Sequence, residues 1–365
     1  MIQTIFSFFI TIIEVVIILG LLIFFHELGH FIAAKISKID VEEFGFGYPP
    51  RMIKLFRLFG TDFTLNWIPF GGFVRLKGEN NPGIANGMMS ASPWKRLFVY
   101  VSGPIMNLVI GIILFAILYS NLGAPDPTKV LISQVNQNSP AEVAGLKAGD
   151  LFLTINNTPV DSIEKLSSLV KENLGKEITM TLKRGEQDYT AKAIPRVNPP
   201  EGEGALGIVM TNPNVSITFL QALPIASAVA YQRTVMLVTL PIQLIEKRIT
   251  PEEARILGPV GMITLYQHAN TLDAEIAQQD SEIPPFANTL GLTAAISIAF
   301  FMTNLLIPFP ALDGGRILLT LPELIFRRRL PTAFENMLNM IGFILLILLM
   351  FYITTQDILN PIRFP

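Results

Sequence analysis

The chain has 365 residues, of which 50% are hydrophobic and only 15% are charged; its formal net charge is -2 and it contains no cysteine. Soluble proteins carry about 25% charged residues, so this deficit favours a membrane protein. The small net charge gives no support for nucleic-acid binding. Without cysteine there are no disulfides or thiolates, and any chemistry depends on His, Asp, Glu, Ser or Thr.

Long apolar runs predict membrane-spanning helices, each of which needs about 20 residues to cross the hydrocarbon layer. The first run is not a secretory signal peptide, because it lacks a basic start and continues into a polar motif instead of a cleavage site. The sequence therefore predicts a polytopic α-helical membrane protein with about four transmembrane helices. We assign them to residues 1–36, 97–122, 292–321 and 334–356.

Basic residues predict the orientation of these helices. Lysines and arginines are frequent in 37–96, and three arginines follow one another at 327–329. Short basic loops stay in the cytoplasm, so both segments are predicted to be cytoplasmic. Both termini and the long stretch 123–289 are then extracytoplasmic.

The segment 215–288 is ambiguous. Its run 217–245 is apolar, but glutamines, prolines and Arg233 interrupt it. We interpret it as one or two extracytoplasmic amphipathic helices at the membrane surface, with a further span as the alternative.

The segment 125–210 has the composition of a soluble β-rich domain. Charged residues return, short runs alternate at 129–135, 151–155 and 177–183, and a helix is predicted over 162–172 with Asp161 or Ser162 as its cap. The stretches Ser139-Pro140-Ala141 and Gly145-Leu146-Lys147-Ala148-Gly149-Asp150 resemble the PDZ family. That resemblance implies an extracytoplasmic PDZ domain that binds peptide termini through the loop Leu206, Gly207 and Ile208, beside an exposed strand. The alternative is that these glycines only form turns.

The motif His26-Glu27-Leu28-Gly29-His30 is the most specific chemical signal. Histidines four residues apart share one helix face, so both imidazoles can bind one Zn²⁺ while Glu27 takes a proton from the bound water. Ionisable groups within a membrane helix are functional candidates. The alternative is a polar helix end without a metal.

A catalytic zinc site usually has three protein ligands, so a third is required. Glu42 and Glu43 are nearby but follow a polar break. Asp313 is the lone acid of the third apolar run, between Pro308 and Pro310 on one side and two glycines on the other. Irregular backbone at membrane depth is tolerated where it lines a protein cavity, which favours Asp313.

Together these residues resemble the site-2 protease family of intramembrane zinc metalloproteases, in the bacterial branch with one PDZ domain. The matching stretches cover nearly the whole chain: Phe25–Phe31, Phe44–Gly47, Pro69–Phe73, Lys77–Glu79, Gly103–Asn107, 125–210, Gly258–Val260 and Asp313–Gly314. The resemblance implies one Zn²⁺ bound by His26, His30 and Asp313, with Glu27 as the catalytic acid and base. It implies a location in the bacterial cytoplasmic membrane, with the active site near the cytoplasmic side.

Other residues are candidates for substrate contact. The resemblance suggests this role for Asn304, although Asn304 lies four residues before Pro308 where the family has three. Asn107 is a polar residue in an apolar helix, so it faces protein or a water path, and a packing role is as plausible as a catalytic one.

The segment 37–96 resembles the membrane-associated β-region of the family. Its glycines Gly45, Gly47, Gly71 and Gly72 flank aromatic and β-branched residues, so an edge strand there could pair with an extended substrate backbone. A plain loop that seals the site is the alternative.

The predicted function is hydrolysis of peptide bonds within transmembrane segments, in regulated intramembrane proteolysis of anti-sigma factors or signal-peptide remnants. The predicted partners are single-span membrane proteins, the lipid bilayer and peptide termini. Two other classes stay open: a non-catalytic PDZ membrane scaffold, which would not need Glu27, and a zinc transporter, which would need more polar residues along its helices.

Overall fold

The computed structural model describes residues 2–79, 81–200, 202–250, 255–278 and 283–362. The chain forms two compact units: Met1–Leu118 together with Phe219–Pro365, and Tyr119–Thr218. The first unit begins with α1 (Ile2–Ile36), β1 (Val41–Leu58), β2 (Thr61–Leu76) and α2 (Pro93–Leu122), whose last residues enter the second unit. The second continues with β3 (Ala124–Pro125), β4 (Val130–Val135), α3 (Pro140–Val143), β5 (Leu151–Ile155), β6 (Thr158–Pro159), α4 (Ile163–Glu172), β7 (Ile178–Arg184), β8 (Gln187–Ala193), β9 (Ile208–Thr211) and β10 (Asn214–Val215). The first unit resumes with α5 (Phe219–Ile245), α6 (Pro259–Gln278), α7 (Ala287–Leu306), α8 (Asp313–Phe326) and α9 (Thr332–Leu359).

Five helices of the described chain are long and apolar enough to cross a membrane: Phe8–Ile36, Pro93–Leu122, Phe219–Ile245, Ala287–Leu306 and Thr332–Leu359. Four of them fall on the predicted spans. The fifth is α5, which is one continuous helix despite Pro224 and Pro241. The chain is thus a multi-pass membrane protein whose candidate helices exceed the predicted four by one.

The third apolar run divides into two helices. α7 ends at Leu306 and α8 begins at Asp313, with an irregular loop between them. Pro308 and Pro310 prevent the helix from continuing, because proline has no backbone N–H to donate. Gly315 lets the loop fold back over the start of α8, since a Cβ there would lie 2.2 Å from the Phe309 carbonyl oxygen. The loop therefore places Asp313 at the first position of α8.

The segment 41–76 forms a sheet with four paired segments, twice the number in a simple two-stranded hairpin. Each strand bends midway, so residues 41–46 pair with 71–76 on one side and with 61–65 on the other, while 51–58 pair with 61–66. The order of the four segments is therefore 71–76, 41–48, 61–68 and 51–58. Among the described residues, the outer edge of 71–76 has no strand partner.

Two carboxylates connect the helices of the first unit. Asp273 on α6 accepts hydrogen bonds from the backbone N–H of Asn288 (2.9 Å) and Thr289 (3.0 Å) in the first turn of α7. Asp357 on α9 likewise accepts from the N–H of Gly258 (2.9 Å) and Gly261 (2.8 Å) where α6 begins. The first backbone N–H groups of a helix lack partners within it, so these carboxylates stabilise both helix starts and hold α6, α7 and α9 together.

The second unit is a small β-rich domain. Its main sheet has the order β8-β7-β5-β4-β9, and β6 pairs with β5 off this path. Side chains from this sheet and from α4 form one continuous hydrophobic core, which includes Ile132, Phe152, Leu166 and Met180. The predicted helix is confirmed, with Ser162 as its N-cap accepting a hydrogen bond from the Lys165 N–H. The three predicted alternating runs are β4, β5 and β7.

Candidate zinc centre and active site

The two histidines of the motif share one face of α1, as their four-residue spacing predicts. Their Nε2 atoms are 3.1 Å apart. His30 is buried, and its Nδ1 lies 2.7 Å from the Val99 carbonyl oxygen on α2. A carbonyl only accepts, so Nδ1 carries the hydrogen and the Nε2 of His30 presents a lone pair to the site.

Asp313 reaches the same point from α8. Its Oδ2 lies 3.0 Å from His26 Nε2 and 3.3 Å from His30 Nε2. A tetrahedral zinc ion with ligands at about 2.0–2.2 Å separates its donor atoms by roughly 3.3–3.6 Å. The three donor atoms converge to within a few tenths of an ångström of this spacing. The donor set and its geometry thus fit the zinc site that the sequence predicts.

Glu27 lies beside these donor atoms. One of its carboxylate oxygens and a ring nitrogen from each of His26 and His30 all lie within 4.8 Å of one another. These side chains line a cavity of about 430 Å³ together with Asp313 and Asn304. A carboxylate next to a metal-binding point and open to a cavity can exchange protons with a water molecule there.

Two glycines allow α1 and α2 to meet at this point. A Cβ at Gly29 would lie 2.3 Å from the Ser102 carbonyl oxygen, and one at Gly103 would lie 2.3 Å from His30 Nε2. A larger residue at Gly29 would displace the backbone of α2, and one at Gly103 would displace the imidazole of His30 or that backbone. The sequence alone assigns no role to either glycine, although Gly29 belongs to the histidine motif and Gly103 to the stretch Gly103–Asn107.

Arg316 and Tyr48 also line the cavity, and the sequence alone does not single them out. Arg316, three residues after Asp313 on α8, donates a hydrogen bond from Nη1 to Glu79 Oε1 at 2.8 Å. This ion pair joins α8 to the chain that leaves β2. Tyr48 of β1 also lines the cavity, as do Arg316 and Glu79. A helical spacing signal was available for Arg316, because residues three apart share a face.

The structure places the predicted substrate-contact residues in different positions. Asn304 lines the cavity, and its Nδ2 donates to the Phe300 carbonyl oxygen at 3.0 Å. Asn107 is buried behind the site, with Nδ2 3.1 Å from His26 Nδ1. Gly72 lies beside the motif helix, where an added Cβ would be 3.8 Å from the Glu27 Cβ.

The remaining predicted glycines support the sheet. A Cβ at Gly71 would lie 2.5 Å from an Ile23 side-chain carbon of α1, and Gly71 has a positive φ of 67°. Gly45 and Gly47 lie within the sheet, where an added Cβ would meet Phe73 and the Ile68 carbonyl oxygen. All four glycines permit close packing.

Other acids near the motif have separate partners. Glu43 is buried in the sheet, where it pairs with Arg51 at 2.8 Å and Arg75 at 3.1 Å. Glu14, in the first half of α1, accepts a hydrogen bond from Asn270 of α6 at 2.7 Å. Asp313 is therefore the acid that joins the two histidines.

The predicted peptide loop lies in the second unit. Leu206 is buried, Gly207 has a positive φ of 71°, and Ile208 begins β9. Leu206 and Ile208 line a groove of about 300 Å³ between α4 and β9, together with Leu166 and Val170. Among the described residues, β9 pairs with β4 alone, so its other edge faces no strand.

The two histidines, the adjacent glutamate and the aspartate, set among membrane helices, define the class of membrane-embedded zinc metalloproteases. The model of peptidase family M50 matches residues 14–349. The chain therefore belongs to peptidase family M50, the site-2 protease family, and is a zinc metalloprotease.

Similar proteins from three bacteria support this assignment. A protein of Clostridium acetobutylicum named as a zinc metalloprotease is 30% identical over 98% of this chain and 100% of its own length. A Clostridium perfringens protein with the same name is 31% identical over 93% of this chain and 96% of its own. A Campylobacter jejuni protein is 30% identical over 94% of this chain and 92% of its own length.

A solved structure is similar to a smaller part. The PDZ domain of an SdrC-like protein from Listeria monocytogenes is 22% identical and aligns with 22% of this chain and 85% of its own length, with a TM-score of 0.20.

The family assignment makes the chain an enzyme, and this excludes the non-catalytic scaffold and the zinc transporter as its main function.

Proposed function

We propose that this metalloprotease hydrolyses peptide bonds within the transmembrane segments of single-span membrane proteins. His26, His30 and Asp313 would bind one zinc ion, and Glu27 would serve as the catalytic acid and base. The observation that carries the proposal is the convergence of the two Nε2 atoms and Asp313 Oδ2, 3.0–3.3 Å apart, between helices α1 and α8.

The chemistry follows from these positions. When bound, zinc lowers the pKa of its water toward about 7 and polarises the scissile carbonyl. Glu27 takes the proton from the attacking water and delivers it to the nitrogen of the leaving amine. The buried His30 is held by the Val99 carbonyl, so little reorganisation accompanies the reaction. Asn304 lines the same cavity and would contact the substrate there.

The substrate needs an extended conformation, because the carbonyl groups of a helix are already hydrogen-bonded within it. We propose that the free edge of segment 71–76 pairs with the unwound substrate backbone. Three observations support this: 71–76 is the outermost segment of its sheet, Phe73 and Val74 line the cavity, and Gly72 lies next to Glu27. This arrangement would present the scissile bond to Glu27.

The topology that we propose places the active site near the cytoplasmic face of a bacterial cytoplasmic membrane, with the termini and the β-rich unit outside. We retain four spans and place α5 at the outer surface, since it has the lowest mean hydropathy of the candidates, 1.3, and carries Arg233.

Substrates whose outer domain has already been removed, such as anti-sigma factors or signal-peptide remnants, suit this arrangement. The β-rich unit would bind their new termini in the groove beside β9.

Cleavage mapping tests the function. The purified full-length chain, in lipid vesicles, is given a single-span peptide with a short outer segment, and the products are identified by mass spectrometry. We expect cuts inside the apolar segment by the wild type and none by Glu27→Gln. Cuts confined to the water-exposed ends of the peptide would overturn the intramembrane proposal.

The topology can be tested separately, because the chain has no cysteine. Single cysteines are introduced at the exposed positions Lys38, Ser168 and Arg248, and intact cells are treated with a membrane-impermeant maleimide. We expect labelling of Ser168→Cys and Arg248→Cys, with Lys38→Cys labelled only after permeabilisation. Labelling of Arg248→Cys only after permeabilisation would show that α5 spans the membrane.

A further inference from the structure

Asn107 is a buried polar residue whose contacts are not explained by packing alone. Only 1% of its surface is exposed, and its amide nitrogen lies 3.1 Å from His26 Nδ1. Its backbone makes a separate contact, in which the Ser297 hydroxyl on α7 donates to the Asn107 carbonyl oxygen at 2.7 Å. The side-chain amide lies at the rear of His26, one proposed ligand of the zinc site.

The amide oxygen of Asn107 lacks a hydrogen-bond donor. Within the described part of the chain, Asn107 Oδ1 is buried and has no hydrogen-bond partner. A buried acceptor without a partner costs about 1–3 kcal/mol, so a donor is expected close to it. His26 Nδ1, which lies 3.1 Å from the nitrogen of the same amide, can supply that donor if it carries the hydrogen.

The zinc site has the opposite need, because His26 requires an acceptor for the hydrogen on its Nδ1. A neutral histidine that binds a metal through Nε2 carries its hydrogen on Nδ1 and usually donates it to a neighbouring oxygen. For His30 that oxygen is the Val99 carbonyl, 2.7 Å from Nδ1. His26 needs an equivalent acceptor. Half a turn about the Asn107 Cβ–Cγ bond exchanges its two amide atoms and places Oδ1 against His26 Nδ1.

We propose that Asn107 is a positioning residue for His26, accepting the Nδ1–H hydrogen bond through Oδ1 when His26 Nε2 binds zinc. Asn107 then fixes the ring orientation and tautomer of His26 as Val99 does for His30. This inference rests on the zinc-ligand assignment proposed above. This role differs from the substrate contact that the sequence suggests for Asn107, which stays a prediction.

The test compares two replacements of similar size in the full-length chain in detergent. Asn107→Leu removes the acceptor, whereas Asn107→Asp retains an acceptor in the same place. Ser297→Ala is the matched control, because it releases the Asn107 backbone and leaves its side chain intact. Zinc affinity is measured by competition with a chromophoric chelator, and circular dichroism checks the fold of each variant.

We expect Asn107→Leu to bind zinc about 10- to 100-fold more weakly, the usual effect of losing such a partner. Asn107→Asp and Ser297→Ala should stay within about threefold of the wild type. An unchanged affinity in Asn107→Leu, or an equal loss in the Leu and Asp variants, would overturn the proposal. If the wild type itself binds no zinc, the ligand assignment fails instead.

A second readout keeps the proposal testable if Asn107→Leu does not fold. The chain has only three histidines, so ¹⁵N-histidine spectra of the zinc-loaded wild type can be assigned by substitution. We expect His26 as the Nδ1–H tautomer with a protected ring N–H resonance. A His26 bound through Nδ1, or a ring N–H in rapid exchange with water, would contradict the proposed hydrogen bond.

Discussion

Gly103 of α2 lies directly against His30 of α1, so close that a Cβ on Gly103 would be 2.3 Å from His30 Nε2 and 2.9 Å from His26 Nε2. The absence of a side chain at residue 103 is therefore a requirement of the metal site. The helix that carries Asn107 and Val99 can reach both histidines only because of it.

Gly103→Ala is expected to weaken zinc binding by at least about 10-fold and to lower cleavage in parallel. The added methyl group must displace an imidazole or the backbone of α2, and such overpacking typically costs about 1–3 kcal/mol. Zinc content and cleavage rate are measured on the same preparation. Gly291→Ala is the control, since its Cβ would meet Leu118 at an ordinary 3.4 Å. Equal zinc affinity in both variants would refute this account of Gly103.

Gly71→Ala is expected to lower kcat/KM by about 10-fold or more while zinc content stays unchanged. A methyl group there would lie 2.5 Å from Ile23 and move the edge segment away from Glu27. Gly60→Ala is a matched control: Gly60 also has a positive φ, 77°, but nothing lies within 4 Å of its Cβ. Both variants carry the left-handed strain of about 1–2 kcal/mol. If Gly60→Ala lost as much activity as Gly71→Ala, the edge segment would have no special role.

Ile208→Ser should weaken binding of a peptide with an apolar carboxyl terminus by about 10-fold, or roughly 1.4 kcal/mol. Ile208 lines the groove, whereas Val209 is 48% exposed and absent from the groove lining. Successive residues of a strand face opposite sides, so Val209→Ser should bind like the wild type. Fluorescence anisotropy of a labelled peptide gives both affinities. Similar losses in the two variants would argue against this groove as the peptide site.

The β-rich unit should lose stability in acid because of Asp150. Burial raises the pKa of this carboxyl, but hydrogen bonds from Arg184 (2.7 Å) and the Lys147 N–H (2.9 Å) outweigh it, so the pKa lies below its ordinary value. A lowered pKa means that the stabilisation is complete above the unfolded-state pKa of about 3.9 and is lost as the pH falls through the folded-state pKa.

The measurement is resistance of residues 119–218 to proteolysis after heating, in the full-length chain between pH 6 and pH 3. We expect the wild type to lose stability below about pH 4. Asp150→Asn should be less stable by about 1–3 kcal/mol at pH 6, since it loses bonds to a charged group, and should change less with pH. An equal pH dependence in the two proteins would remove Asp150 as the cause.

The local parts of the site could be predicted from the sequence. His26, Glu27 and His30 follow from helical spacing, and Asp313 follows from being the single acid in a broken apolar run. Asn107 and Gly103 could be singled out but not assigned, because their roles depend on which helix packs against α1. The free edge of 71–76 depends on bends within β1 and β2, which alternation of residue types does not reveal. α5 is one continuous helix, although Pro224 and Pro241 within it suggested an interruption.

The most direct test of the zinc site measures bound zinc and cleavage together in Glu27→Gln and Asp313→Asn. We predict that Glu27→Gln retains one zinc per chain and cuts no substrate, because the ligands stay while the proton acceptor is gone. Asp313→Asn should lose most of its zinc and its activity. Cleavage by Glu27→Gln at the wild-type rate, or full zinc retention in Asp313→Asn, would contradict the assignment.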